Sequence, residues 1–440
     1  MDQLIVDATV VTLDPARRIL HGADVLVRGG RIEAVGGGAA AQAAAGAERI
    51  RASGKALIPG LVQAHVHLCQ TLFRNRADGL ELLDWLRQRI WPFEAAHDER
   101  SLDASARLGI AELIRGGTTA ILDMGTARHT DVIFEAAEGA GFRLTGGKAH
   151  MDHGADLPAG LREATEASLR EAEALCGRWH GKGLARYAFA PRFVLSCSDG
   201  LLREVAQLAR RLGARLHTHA SENAAEGEAV RERFGAPNIE VLHRFGLTGS
   251  DVALAHCVWP TEGEVELLRA TGSHVVHCPA SNLKLASGIA PIPDFLARGI
   301  HVALGADGAP CNNDLDAFVE MRLAALLHKP RFGPGAMPAA QVLELATLGG
   351  ARALGLEAEI GSIEPGKRAD LALVDLQRLH TTPIGDDVCG AIVHAARSSD
   401  VTDVWIEGRR VLRDRALTTL DEERIVATAR SESDRIAQTL

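Results

Sequence analysis

The apolar positions of the 440-residue chain follow two rhythms. From about residue 57 onward, short apolar runs of strand type alternate with stretches whose apolar positions recur at helical spacing. The runs are Leu61 to Leu68, Thr118 to Met124, Arg143 to Met151, Arg186 to Phe193, Arg215 to Ala220, Val252 to Val258, His274 to Cys278 and His301 to Gly305. Between them, Leu102 to Arg115, Leu161 to Arg178, Leu201 to Leu212 and Pro260 to Ala270 read as helices with one buried face. Strand and helix alternating eight times over about 250 residues is the count and size of an α/β fold of the (β/α)8 TIM barrel type. The alternative is an open doubly wound sheet. Its dinucleotide-binding form is weakened because no Gly-x-Gly-x-x-Gly follows the first strand.

The chain ends have a different texture. Leu4-Ile5-Val6, Thr9 to Leu13, Ala23 to Val27 and Arg31 to Val35 are short β-type runs, with Gly29-Gly30 as a turn between the last two. Gly36 to Gly46 reads as a loop. After a helical stretch from Ala339 to Leu354, strand-type runs return at Asp370 to Asp375 and Asp400 to Ile406, with no helix read between them. The simplest arrangement pairs the ends into a small β-sandwich, residues 1–57 with 360–415. The barrel then occupies 58–359 and a charged helical tail 416–440.

Composition narrows the function. Hydrophobic residues make up 46% of the chain and the net charge is −9, values of a globular protein without a basic block for nucleic acid or an anionic membrane. No run approaches the roughly 18 apolar residues of a membrane span. The first residues lack the basic-then-apolar pattern of a signal peptide. Seven cysteines are dispersed without a Cys-x-x-Cys, which fits reduced thiols and predicts a cytoplasmic protein.

In a barrel of this kind chemistry sits at the C-terminal ends of the strands. The first run ends in His65-Val66-His67, and residues two apart on a strand share a face. The fifth carries His217 and His219, the sixth His256, the seventh His277, and Asp307 follows the eighth. His65, His67, His219 and Asp307 make a ligand set for one divalent metal ion, Zn²⁺ first and Fe²⁺ second. His217 competes with His219, which is favoured because it lies nearer the strand end with Glu222 three residues on. Glu222 itself has a plainer reading, as an acidic residue at a helix start. His277 reads as structural.

Together these residues resemble the amidohydrolase superfamily, in its branch of mononuclear deaminases and related aminohydrolases. The resemblance spans nearly the whole chain. It rests on Pro59 to His67, His219-Ala220-Ser221-Glu222, Ala255-His256-Cys257, His277 to Leu285 and Gly305 to Ala309. Members with two metals carry a lysine at the end of the fourth strand. Arg192 stands there, which implies a single metal. The resemblance implies that Asp307 takes a proton from the attacking water, that Glu222 protonates a ring nitrogen, and that His256 positions the water and stabilises the adduct. It therefore implies a metal-dependent hydrolytic deaminase of a small-molecule purine-type ring, releasing ammonia.

Two groups of substrate are suggested. Thr71 to Arg74, Asp84 to Leu86 and Ile90 to Glu94 resemble the loop after the first strand in purine and nucleoside deaminases, and Gly308 to Asp316 with Glu320 to Leu323 is similar to deaminases of 5′-modified adenosines: 5′-deoxyadenosine, methylthioadenosine and S-adenosylhomocysteine. Glu94 would then face ribose hydroxyls, with Trp85 beside it. Pro191-Arg192-Phe193 and Gln70 are similar to guanine deaminases, where Arg192 would donate to a ring carbonyl. A salt bridge to a nearby carboxylate is the competing reading of Arg192. The adenosines lead. Guanine, 8-oxoguanine, pterin and s-triazine substrates follow. A catalytically silent binding barrel is the non-enzyme alternative, and the complete ligand set with Glu222 counts against it. Barrels of this size with a β appendage often form homo-oligomers.

Overall fold

The computed structural model describes residues 2–439. Its barrel strands are Leu61–Val66, Thr118–Met124, Arg143–Gly147 continued by Ala149–His150, Ala185–Pro191, Arg215–Ala220, Val252–His256, His274–His277 and His301–Leu304. They lie side by side in chain order. Strands covered on both faces read as continuous apolar runs, and all residues of Thr118–Met124 and Val252–His256 are buried. The ring closes where Val66 bridges Asp307 in parallel and the Asp307 N–H donates to the His65 carbonyl at 3.0 Å.

Gly305 makes this seam. A Cβ there would lie 2.7 Å from the His65 carbonyl oxygen and 2.8 Å from its nitrogen, so only glycine lets the last strand approach the first. Gly305→Ala is expected to destabilise the protein by about 1–3 kcal/mol, the usual effect of overpacking. A thermal melt unchanged from the parent would show that the seam has room.

A second sheet draws on both chain ends. Gln3–Val11, Ile19–Arg28, Arg31–Val35, Glu48–Arg51 and Lys55–Pro59 join Leu371–Asp375, Val401–Ile406, Arg409–Arg413 and Ala416–Leu417. The halves meet where Lys55–Pro59 pairs antiparallel with Leu371–Asp375. Val25, Leu57, Leu371 and Trp405 belong to the core beneath.

Three details differ from the sequence reading. The two N-terminal runs are one strand, interrupted between Ile5 and Ala8 by a register shift with Asp7 at φ +62°. Gly36 to Gly46 contains the short helix Ala39–Gln42. The interval before Val401–Ile406 is not free of helix: Val388–Gly390, Ala391–Ala395 and Ser398–Asp400 are helical turns, each too short to show a period.

The chain divides into two compact units: Met1–Gln63, Ala111–Ala120 and Asp316–Asp421, and then Ala64–Ile110, Ile121–Leu315 and Glu422–Leu440. The end-strand sheet lies in the first. The site described below lies wholly in the second. There the C-terminal helix Glu422–Ala437 braces the segment after the first barrel strand. Ala429 and Ile436 pack with Leu72 and Phe73, and the Ser433 hydroxyl donates to the Leu72 carbonyl at 2.8 Å. Among the described residues, no helix is long and apolar enough to cross a membrane. All seven cysteines are buried and free.

Candidate metal centre and its cavity

His65 and His67 point to one side of the first strand, as their spacing requires, and meet His219 and Asp307 there. The Asp307 Oδ1 lies 3.2 Å from the Nε2 of both His65 and His67, and the Nε2 atoms of His67 and His219 are 3.2 Å apart. His65, His67 and Asp307 are buried and His219 is half-buried, with one ligand atom from each within 4.8 Å of the others. Ligand atoms about 2.0–2.1 Å from an ion at tetrahedral angles are about 3.3–3.4 Å apart. The three 3.2 Å separations match ligands of one metal ion.

The opposite ring nitrogens fix the orientation. His67 Nδ1 donates to the Met124 carbonyl at 2.8 Å and His219 Nδ1 to the Arg192 carbonyl at 2.7 Å. A carbonyl only accepts, so each Nδ1 carries the proton and each Nε2 keeps a lone pair with which it could bind a metal. His65 Nδ1 pairs with His217 Nε2 at 2.8 Å. His217 thus holds His65 from behind, and His219 is the one that joins His65, His67 and Asp307 in the group. Burial, followed by the neighbouring imidazoles, pushes His217 and His219 well below the ordinary histidine range. His65 falls to about 4, chiefly through burial. Neutral imidazoles are what coordination needs. Burial alone would raise the Asp307 carboxyl, but His65 and His67 outweigh it and hold it well below the usual range. Its Oδ2 accepts from the Ser281 hydroxyl at 2.6 Å.

Glu222 and His256 stand next to this group. Glu222 Oε2 is 3.4 Å from His256 Nε2, which is itself 4.0 Å from Asp307 Oδ2. His256 Nδ1 donates to the Asn282 side-chain oxygen at 2.9 Å. Burial, then the charges of Asp307 and Glu226, push Glu222 well above the usual carboxylate range, favouring the protonated acid. Glu222 is not the acidic cap of the following helix Ala224–Phe234. Glu226 has that task, accepting from the backbone N–H groups of Glu222 and Asn223. Ser221, His256 and Asp307 have φ of +50°, +74° and +63°, conformations that side-chain-bearing residues adopt at a cost of about 1–3 kcal/mol and that cluster at working sites. His277 is buried and is not one of the four ligand-type residues.

A cleft opens on the group, with about 370 Å³ of empty space when the solvent at its mouth is counted. Its polar side includes His67, His219, Glu222 and Asp307, extended by Gln70 and Arg192. Leu82, Trp85, Leu86, Phe193 and Leu285 form the other side. Arg192 Nη1 donates to Glu94 Oε2 at 2.6 Å, and Gln70 Nε2 donates to Glu94 Oε1 at 2.9 Å, all three residues being buried. The structure therefore joins Gln70, Glu94 and Arg192 into one unit. Glu94 has both oxygens engaged, and Arg192 makes the salt bridge that was its competing reading. The Trp85 indole donates to the Ala77 carbonyl at 3.1 Å, so its ring serves the cavity as an apolar wall; Trp91 packs in the same apolar cluster but does not line the cavity. Sequence reasoning did not single out Ser281 and Asn282, although both lie in the His277 to Leu285 run, nor the leucines of the wall.

A family profile described as "Amidohydrolase family" matches residues 56–411. The chain is 42% identical over 431 residues to the 5-methylthioadenosine/S-adenosylhomocysteine deaminase of Syntrophobacter fumaroxidans, covering 98% of this chain and 97% of that one. It is 38% identical over 439 residues to the 5′-deoxyadenosine deaminase of Methanosarcina mazei, covering 99% and 98%. Among solved structures it is similar to a zinc-bound adenosine deaminase from Xanthomonas campestris, with a TM-score of 0.93, 38% identity and 99% of both chains covered.

Proposed function

The chain belongs to the amidohydrolase family, and on that premise we propose that it is a metal-dependent hydrolytic deaminase of 5′-modified adenosines, releasing ammonia. One observation carries the reading. Four side chains of metal-ligand type lie together, three of them (His67, His219 and Asp307) line one cavity with Glu222, and Glu222 stands 3.4 Å from the buried His256.

His65, His67, His219 and Asp307 would hold the ion, with Zn²⁺ as the first choice and Fe²⁺ as the second. When bound, such an ion supplies the Lewis acidity that brings a water's pKa toward about 7. Asp307, ionised and fixed by Ser281, accepts the proton of the water that attacks the amino-bearing ring carbon. Glu222 gives its proton to the adjacent ring nitrogen, which makes that carbon electrophilic. His256 keeps its Nε2 toward the adduct because Asn282 holds its Nδ1. Return of a proton to the amino nitrogen lets ammonia leave, and the ring keeps the water's oxygen. Seven buried free thiols support placement in a reducing cytoplasm.

A second reading, a guanine-type base, is favoured by one feature: Gln70 and Arg192 line the cavity. Arg192 retains donors beyond the one it gives Glu94. Ammonia release across 5′-deoxyadenosine, methylthioadenosine, adenosine and guanine separates the two. The adenosines are expected to lead in kcat/KM by at least about tenfold, or about 1.4 kcal/mol, and guanine in first place would replace the proposal. Elemental analysis is expected to find about one ion per chain in the parent, the number that fills one such site, and little in His65→Ala. A His65→Ala protein with parental metal content and activity would remove the ligand assignment.

A further inference from the structure

The apolar side of the cavity is built from tightly packed side chains. Leu82, Trp85, Leu86, Phe193 and Leu285 are only 3–5% exposed. Leu82, Trp85 and Leu86 come from the segment after the first barrel strand. They share one cluster with Met151, Leu157 and Leu161, which follow the third. With the Trp85 N–H bonded to a carbonyl, this wall offers a ligand no polar partner. Arg192 is the one cation among the lining residues, and the Glu94 carboxylate balances it at 2.6 Å. The carboxyl groups that line the cavity directly are Glu222 and Asp307. Lys284, next to Leu285, is bound by Asp78 at 2.5 Å, by the Pro310 carbonyl at 2.9 Å and by Asn313.

Resting on the deaminase reading, we infer that the site selects adenosines whose 5′ group is uncharged, and discriminates against the zwitterionic amino-acid tail of S-adenosylhomocysteine. That tail brings a carboxylate and an ammonium. With the amino-bearing carbon at the metal-ligand group, the inference puts the 5′ group against the leucine and aromatic wall, where both charges would lose water and gain no partner. A carboxylate near Arg192 would compete with Glu94 for a charge already balanced, close to two further acidic groups. A thioether, by contrast, is apolar and polarisable and suits leucine and aromatic neighbours.

The test is kcat/KM of the metal-loaded full-length enzyme on three thioethers: methylthioadenosine, its 5′-propylthio analogue and S-adenosylhomocysteine. The propylthio compound is expected to fall within about tenfold of methylthioadenosine, and S-adenosylhomocysteine about a hundredfold or more below it, equivalent to about 2.7 kcal/mol. S-adenosylhomocysteine within tenfold of methylthioadenosine would overturn the inference. So would equal losses for the propylthio compound, because length rather than charge would then discriminate. Ammonia from guanine and from no adenosine would instead overturn the deaminase reading, and this inference with it.

Discussion

Glu222→Gln is expected to lower kcat by about 10²- to 10⁴-fold, the contribution of a positioned general acid–base group, while metal content stays at the parental level. Glutamine keeps the shape and a hydrogen-bonding amide but can neither donate nor accept the proton that the reaction moves. The residue suits that work. It is buried, its carboxyl favours the protonated form, and its Oε2 lies 3.4 Å from His256. The helix-cap task that would explain it away belongs to Glu226, so the substitution should leave the following helix intact. Single-turnover kinetics beside elemental analysis would check this. Near-parental turnover would remove Glu222 from the mechanism.

The second large effect concerns Arg192 and Glu94. Each is buried and each is the other's counter-charge, so Arg192→Met leaves an unpaired carboxylate and Glu94→Gln an unpaired guanidinium. Breaking a buried pair by removing one partner costs about 3–5 kcal/mol. The double variant removes both charges. Its loss is expected to fall short of the sum of the single losses by about 2 kcal/mol or more, within the range for residues in contact. The two single variants should also lower kcat/KM together on the best substrate, because Arg192, Glu94 and Gln70 position one another. Denaturant unfolding of the three variants measures the coupling. Additivity within about 0.5 kcal/mol would mean that the pair does not act as a unit.

This pair marks where the sequence stops being informative. The barrel strands were readable because strands buried on both faces are continuous apolar runs. The meeting of His65, His67, His219 and Asp307 was readable because a barrel gathers its strand ends. Glu94 and Arg192 are 98 positions apart, and no local pattern joins them. His217 and His219 share a face of their strand, so alternation could not choose between them. Height along the strand does, placing His217 against His65 Nδ1 and His219 beside His67. The Asn223–Glu226 capping box was present as a pattern, and reading it would have freed Glu222 from the cap role at once. The break at Asp7 has the opposite character. A polar residue in a bulge looks like the end of a strand unless its pairing partners are known.

Hydrolytic deamination at a single metal centre is tested most directly by running the zinc-loaded protein on 5′-deoxyadenosine in ¹⁸O-labelled water, with mass spectrometry of the nucleoside and an assay for ammonia. The predicted result is 5′-deoxyinosine carrying the label on the exocyclic carbonyl oxygen of its purine, with ammonia released in step, abolished by a chelator and restored by zinc. Unchanged nucleoside without ammonia, or free adenine from cleavage at the sugar, would contradict it.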